Sequence, residues 1–148
     1  METTRLPVPP LTARAATGAW LLAVGAGIAE SVVGLAGAVH DGAPALALIA
    51  QVALRTILYG GLFLVIDRYF RHGVRWSRLL LTGLLGTAGM ASLLIGPISW
   101  LANHHLTDLS FTASFVTDAA LRTVHLVALI TALALSWQPE TNRWFRRA

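Results

Sequence analysis

The sequence predicts an all-α protein, a four-helix transmembrane bundle with both termini on the cytoplasmic side. Three observations predict it. Of 148 residues, 55% are hydrophobic and only 12% are charged, against about 25% charged in average soluble domains. The apolar residues fall in four runs, at about 15–39, 43–66, 79–102 and 109–137, and a spanning helix needs roughly 20 such residues. All eleven basic residues are arginines, and nine of them flank the runs on one side only. Arg5 and Arg14 precede the first run, Arg68, Arg71, Arg75 and Arg78 separate the second from the third, and Arg143, Arg146 and Arg147 follow the fourth. The other two connections hold no arginine, so the positive-inside rule puts both tails and the middle loop in the cytoplasm.

Residues 1–14 read as a polar, mobile tail bearing Pro7, Pro9 and Pro10. The first span is too long for the roughly 7–15 residue core of a signal peptide, and it contains Glu30. Its Ala23, Gly27, Glu30, Gly34 and Gly37 form one stripe of mostly small residues, which lets a neighbouring helix approach. His40-Asp41-Gly42 is a tight turn, and Pro44 suits the first turn of the second helix. Gly73 breaks the chain before the third span, and Trp76 and Trp100 mark its two interfaces. Pro97 is expected to kink the last turns of that span. Residues 103–108 form the next turn, Pro139 stops the fourth span, and residues 138–148 read as a basic cytoplasmic tail that fixes topology. An arginine near an anionic bilayer surface contributes about 1 kcal/mol, so this tail also suits acidic lipid.

The charges inside the spans carry the functional question. Glu30, Arg55 and Asp118 lie nine, eleven and nine residues from the far ends of their spans, roughly 14–16 Å deep at about 1.5 Å per residue. Arg122 falls one turn deeper. Unpaired, each would cost about 2.5–3.5 kcal/mol, so two acids and two bases in one layer are expected to pair. Asp118, Arg122 and His125 share one face of the fourth helix, and Gln51, Arg55 and Tyr59 share one face of the second. One expectation is a structural ion network of Glu30, Arg55, Asp118 and Arg122, with Gln51, Tyr59 and His125 adding hydrogen bonds. The other is a ligand or proton site built from the same residues.

Ala53-Leu54-Arg55-Thr56 recurs as Ala120-Leu121-Arg122-Thr123, 67 residues later, and Thr17-Gly18 and His40 recur 65 residues later at Thr82-Gly83 and His105. These offsets fit a duplicated two-helix hairpin, and they equally fit chance recurrence of common residues. Duplication would place a pseudo-two-fold axis along the membrane normal.

With no cysteine, thiol chemistry, disulfides, Cys zinc sites and iron–sulfur clusters are excluded. His40 and Asp41 from one outer turn and His104, His105 and Asp108 from the other are suitable metal ligands. No HExxH pattern accompanies them, and adjacent histidines are common polar turn residues, so no metal or other cofactor is expected. No P-loop, Rossmann or nucleophile-elbow motif occurs. The arginines flank spans instead of forming a stripe with aromatics, so nucleic acid is not an expected partner.

Ala19-Trp20-Leu21-Leu22 through Ala29-Glu30-Ser31-Val32-Val33-Gly34 resembles the first helix of small multidrug resistance transporters, four-span proteins whose first-helix glutamate exchanges protons against cationic drugs. That resemblance implies a proton role for Glu30; Arg55 and Arg122 have no place in the family's pattern. The stretch from Arg55 to Pro97, with Gly73-Val74-Arg75-Trp76-Ser77-Arg78 opening the third span, resembles small four-span bacterial membrane proteins without an assigned activity. The expected function is therefore a small integral protein of a bacterial inner membrane, more a non-enzyme than an enzyme. It would be an accessory subunit of a larger membrane complex or a binder of a small or lipidic ligand, apolar or ionic. A small proton-coupled transporter working as a homo-oligomer, through Glu30, Asp118 and His125, is the second expectation. A membrane enzyme or metal protein using the outer histidines is the third.

Overall fold

The computed structural model describes residues 8–147 and contains no strand among them. Four long helices, α1 (Leu11–His40), α2 (Ala45–Phe70), α3 (Arg75–Asn103) and α4 (Ala113–Ser136), are each long and apolar enough to cross a membrane. A fifth, α5 (Pro139–Arg147), follows directly. The described termini and the α2–α3 turn lie at one end, here the base; the α1–α2 turn and the α3–α4 connection lie at the far end.

Local chemistry sets the helix ends. Pro10 caps α1 and Pro44 caps α2, each in extended backbone. Gly42 (φ +74°) and Gly73 (φ +79°) end α1 and α2 in left-handed backbone. At each the next residue reaches back across the turn, with Ala43 N–H on Ala38 O at 3.0 Å and Val74 N–H on Tyr69 O at 3.1 Å. This is the Schellman closure, which a Cβ at the glycine would strain. Thr112 caps α4 by accepting from Phe115 N–H at 3.3 Å. Two helices contain widened π turns, Val65–Phe70 in α2 and Leu84–Gly89 in α3. α3 continues as helix through Pro97 to Asn103.

Packing is uneven. α1 runs along α4 for much of its length, whereas α2 and α3 meet chiefly at the turn that joins them. The fully buried large side chains cluster at the base: Trp20 from α1, Ile66 and Phe70 from α2, Leu81 from α3, Leu129 from α4 and Phe145 from α5. Trp20 meets Phe70 edge-on at 6.4 Å between centroids, and Phe70 meets Phe145 at 5.1 Å. Trp20 Nε1–H donates to Ser136 Oγ at 3.0 Å, and Ser136 Oγ donates on to Ala132 O at 2.6 Å. The far half is open; Leu46, Ile49, Leu54 and Ile57 of α2 are all strongly exposed.

The polar ends differ from the sequence reading. The predicted N-terminal tail is helical from Leu11, with Ala13 and Ala16 buried; its first seven residues, Arg5 included, lie outside the described residues. The predicted basic tail is the docked helix α5. Thr141, Trp144 and Phe145 stand at i, i+3 and i+4, so they form one face, and Thr141 and Phe145 are fully buried. Thr141 Oγ1–H donates to Thr12 Oγ1 at 3.0 Å. Arg75 donates from Nε to Phe145 O at 2.9 Å and from Nη2 to Arg146 O at 3.1 Å, satisfying carbonyls that the end of a helix leaves free. Arg78 bonds Asn142 Oδ1 and lies 4.2 Å over the Trp137 ring. Two arginines assigned to topology thus also fasten the last helix.

Candidate functional site

The polar side chains converge where the packed base gives way to the open half. Glu30 faces α4, and its Oε2 lies 3.3 Å from His125 Nδ1. The other carboxylate oxygen, Oε1, is buried and has no hydrogen-bond partner. Both residues line a partly open chamber of about 220 Å³ to which all four long helices contribute. Its remaining wall is mainly apolar (Leu58, Leu62, Leu84, Leu85 and Leu93), with Tyr59 and Ser92 as further polar groups. The π turn of α3 supplies Leu84, Leu85, Ala88 and Gly89 to this wall; such turns recur at functional sites because they displace side chains from the regular helical face.

Gly27 makes the convergence possible. A Cβ there would lie 3.0 Å from Tyr59 Cε1 and Oη and 3.1 Å from His125 Cε1. Both rings sit in the space a side chain would need. Gly27→Ala is therefore expected to cost about 1–3 kcal/mol, as overpacking does. Gly25→Ala, with nothing within 4 Å of its Cβ, is expected to be near neutral. Thermal unfolding of the two variants in detergent checks this, and equal losses would deny Gly27 its special role.

A second polar link joins α1 to α2. Ser31 Oγ donates to Gly27 O at 2.8 Å and lies 3.2 Å from Tyr59 Oη. Arg55 Nη1 donates to Ser31 O at 3.0 Å. The Arg55 guanidinium thus rests on a backbone carbonyl, and among the described residues no carboxylate is within ion-pair distance of it.

The expected four-charge network does not form. Asp118 is exposed, and no ion pair joins it to Arg122 among the described residues. α4 begins at Ala113 and not near Leu109, so Asp118 lies only about 7–8 Å along the helix, in the open far half. Arg122 instead points toward α3, where its Nη1 would meet a Cβ at Gly96 at 2.9 Å. Gln51 is half-buried. Glu30, Tyr59 and His125 are brought together, with Arg55 one turn away through Ser31. Ser31 and Ser92 were not singled out by sequence; the signal was the position of Ser31 beside Glu30 and one turn from Gly27.

The outer histidines are used locally. His104 stacks on Trp100 at 5.0 Å with its Nδ1 3.2 Å from Trp100 O. Asp108 accepts from the His105 backbone N–H at 3.0 Å. No group of three His, Asp or Glu able to grip a metal occurs among the described residues, so His40 does not join the others in one.

No family model, no curated protein and no solved structure matches this chain.

Proposed function

We propose that this chain is a bacterial inner-membrane protein that binds a small, largely apolar molecule in the central chamber, with Glu30 as the anchoring group. The observation that carries this is Glu30 itself, an acid in the wall of a largely leucine-lined cavity with one carboxylate oxygen, Oε1, buried and unpartnered. An unmet acceptor at such a place costs about 1–3 kcal/mol, more for a charged group. A ligand that donates one hydrogen bond and fills the leucine-lined remainder offsets that cost. A neutral alcohol or amide, or a protonated amine, has the required chemistry.

The orientation that accompanies this reading puts the base in the cytoplasm. Arg14, Arg68, Arg71, Arg143, Arg146 and Arg147 are all exposed there, and the far-end connections carry no arginine. A duplicated hairpin belongs to the same reading. Arg55 of α2 lies against Ser31 of α1, and Arg122 of α4 against Gly96 of α3. Ser31 and Gly96 are 65 residues apart, as His40 and His105 are.

Mass spectrometry of solvent extracts from protein purified in nanodiscs tests the binding. Wild type is expected to carry a defined small molecule at near-stoichiometric occupancy. Glu30→Gln, which keeps the shape and removes the charge, is expected to lower occupancy by at least about tenfold, or 1.4 kcal/mol. A bare wild-type protein sinks the proposal. The Glu30–His125 contact favours one further reading, proton-coupled movement of the same ligand. It predicts ligand-dependent proton flux in vesicles that Glu30→Gln abolishes.

A further inference from the structure

A second cavity lies on the opposite side of Tyr59. It is a groove of about 460 Å³ between α1 and α2, within the 300–1,000 Å³ of ordinary ligand sites. Ile28, Val32, Val52 and Phe63 form its apolar walls and are all substantially exposed. The groove opens outward, away from the other helices, while Val24 and Tyr59 separate it from the chamber. Its one charged group is Arg55.

We propose that this groove binds a single-chain carboxylate amphiphile, a long-chain fatty acid anion. The carboxylate would sit on Arg55, and the chain would lie along Ile28 and Phe63. The inference rests on the membrane-spanning reading but not on any ligand of the Glu30 chamber.

Charge complementarity is the first support. A guanidinium carries five N–H donors, and Arg55 donates one to Ser31 O with no carboxylate in reach among the described residues. The Ser31 carbonyl carries no net charge to balance the guanidinium, and a carboxylate meets the remaining donors side by side. The neighbouring acid, Glu30, is turned away toward His125.

The shape of the groove selects the kind of anion. Arg55 Nη1 lies 3.9 Å from a Cβ built at Gly34, and Phe63 stands eight residues, roughly 12 Å, farther along α2. The groove runs between two helices only, which suits a single chain with its acid group attached directly. Gly60, an exposed lining residue one turn from Phe63, has nothing within 4 Å of its Cβ position, which leaves the chain room to pass.

The test uses the full chain in phosphatidylcholine nanodiscs at alkaline pH. The probe is a palmitic acid with a diazirine in its tail, and the crosslinks are mapped by mass spectrometry. Labelling is expected within residues 24–35 and 52–63, and oleate is expected to compete at least about tenfold better than oleyl alcohol. Arg55→Gln removes the charge; Gly60→Leu fills the groove and leaves Arg55 in place. Each is expected to reduce labelling by at least about tenfold, and Gly60→Leu keeps the test decisive should Arg55→Gln not fold. Glu30→Gln is expected to leave labelling unchanged, which separates this site from the chamber. Equal competition by the alcohol would overturn the proposal. So would displacement by phosphatidylglycerol as effective as by oleate, labelling elsewhere, or a Gly60→Leu protein that labels like wild type.

Discussion

Trp20→Ala is expected to destabilise the protein by about 3–5 kcal/mol, the cost of emptying a fully buried aromatic site. Trp20 is fully enclosed and touches the base at the point where α1, α2 and α4 meet. Its truncation removes the edge-on contact with Phe70 and the bond to Ser136 together. Trp20→Phe separates the two effects. It keeps most of the ring volume, and Ser136 Oγ still donates to Ala132 O, so the expected loss is about 1 kcal/mol for the one hydrogen bond plus the reduced volume. Denaturant titration in mixed micelles measures both. A Trp20→Ala protein within about 1 kcal/mol of wild type would show that the base is not the stabilising core.

Arg78→Ala is the second large effect, expected at about 2–4 kcal/mol. The guanidinium carbon lies 4.2 and 5.1 Å from the Trp137 and Phe145 ring centres, and a partly buried cation–π contact contributes about 1 kcal/mol. Its hydrogen bond to Asn142 adds about 1.5–3 kcal/mol because the donor is charged. The buried Nε has no partner, which offsets part of this. Arg78→Lys is expected to recover little, since an ammonium cannot lie flat on the rings while reaching Asn142. The readout is limited proteolysis: α5 should become cleavable in Arg78→Ala and Arg78→Lys while α1–α4 stay protected. Full protection in Arg78→Lys would mean that charge alone holds the helix.

The four long helices were legible because apolar length and arginine placement are properties of single segments. The turns at Gly42 and Gly73 were legible for the same reason. What sequence missed depends on which segments meet. Asp118 and Arg122 share a helix face, so pairing looked cheap. In three dimensions Arg122 is drawn toward Gly96, where the missing side chain leaves room, and Asp118 stands in the open half. Glu30 and His125, 95 residues apart, were expected in one polar site, but nothing in the sequence singled them out from its other members as the pair in direct contact. α5 was hidden by its arginines. The Thr141–Trp144–Phe145 spacing was readable, but nine residues of net positive charge are equally a solvated tail until something is seen to cover Phe145. The π turns left no periodic mark, since one extra residue shifts the helical register only from that point onward.

The lengthwise contact between α1 and α4 has a consequence for biogenesis. The earliest made of the four long helices, α1, has its principal neighbour in the latest made of them, α4. About a hundred residues separate them, which at roughly 5–20 residues per second is some 5–20 seconds of synthesis. Throughout that interval α1 presents the face that Ala16, Ala23 and Gly27 will later give to α4, and the base cannot close until α5 has been made and folds back. A chain stopped anywhere before residue 113 would leave α1 without its mate.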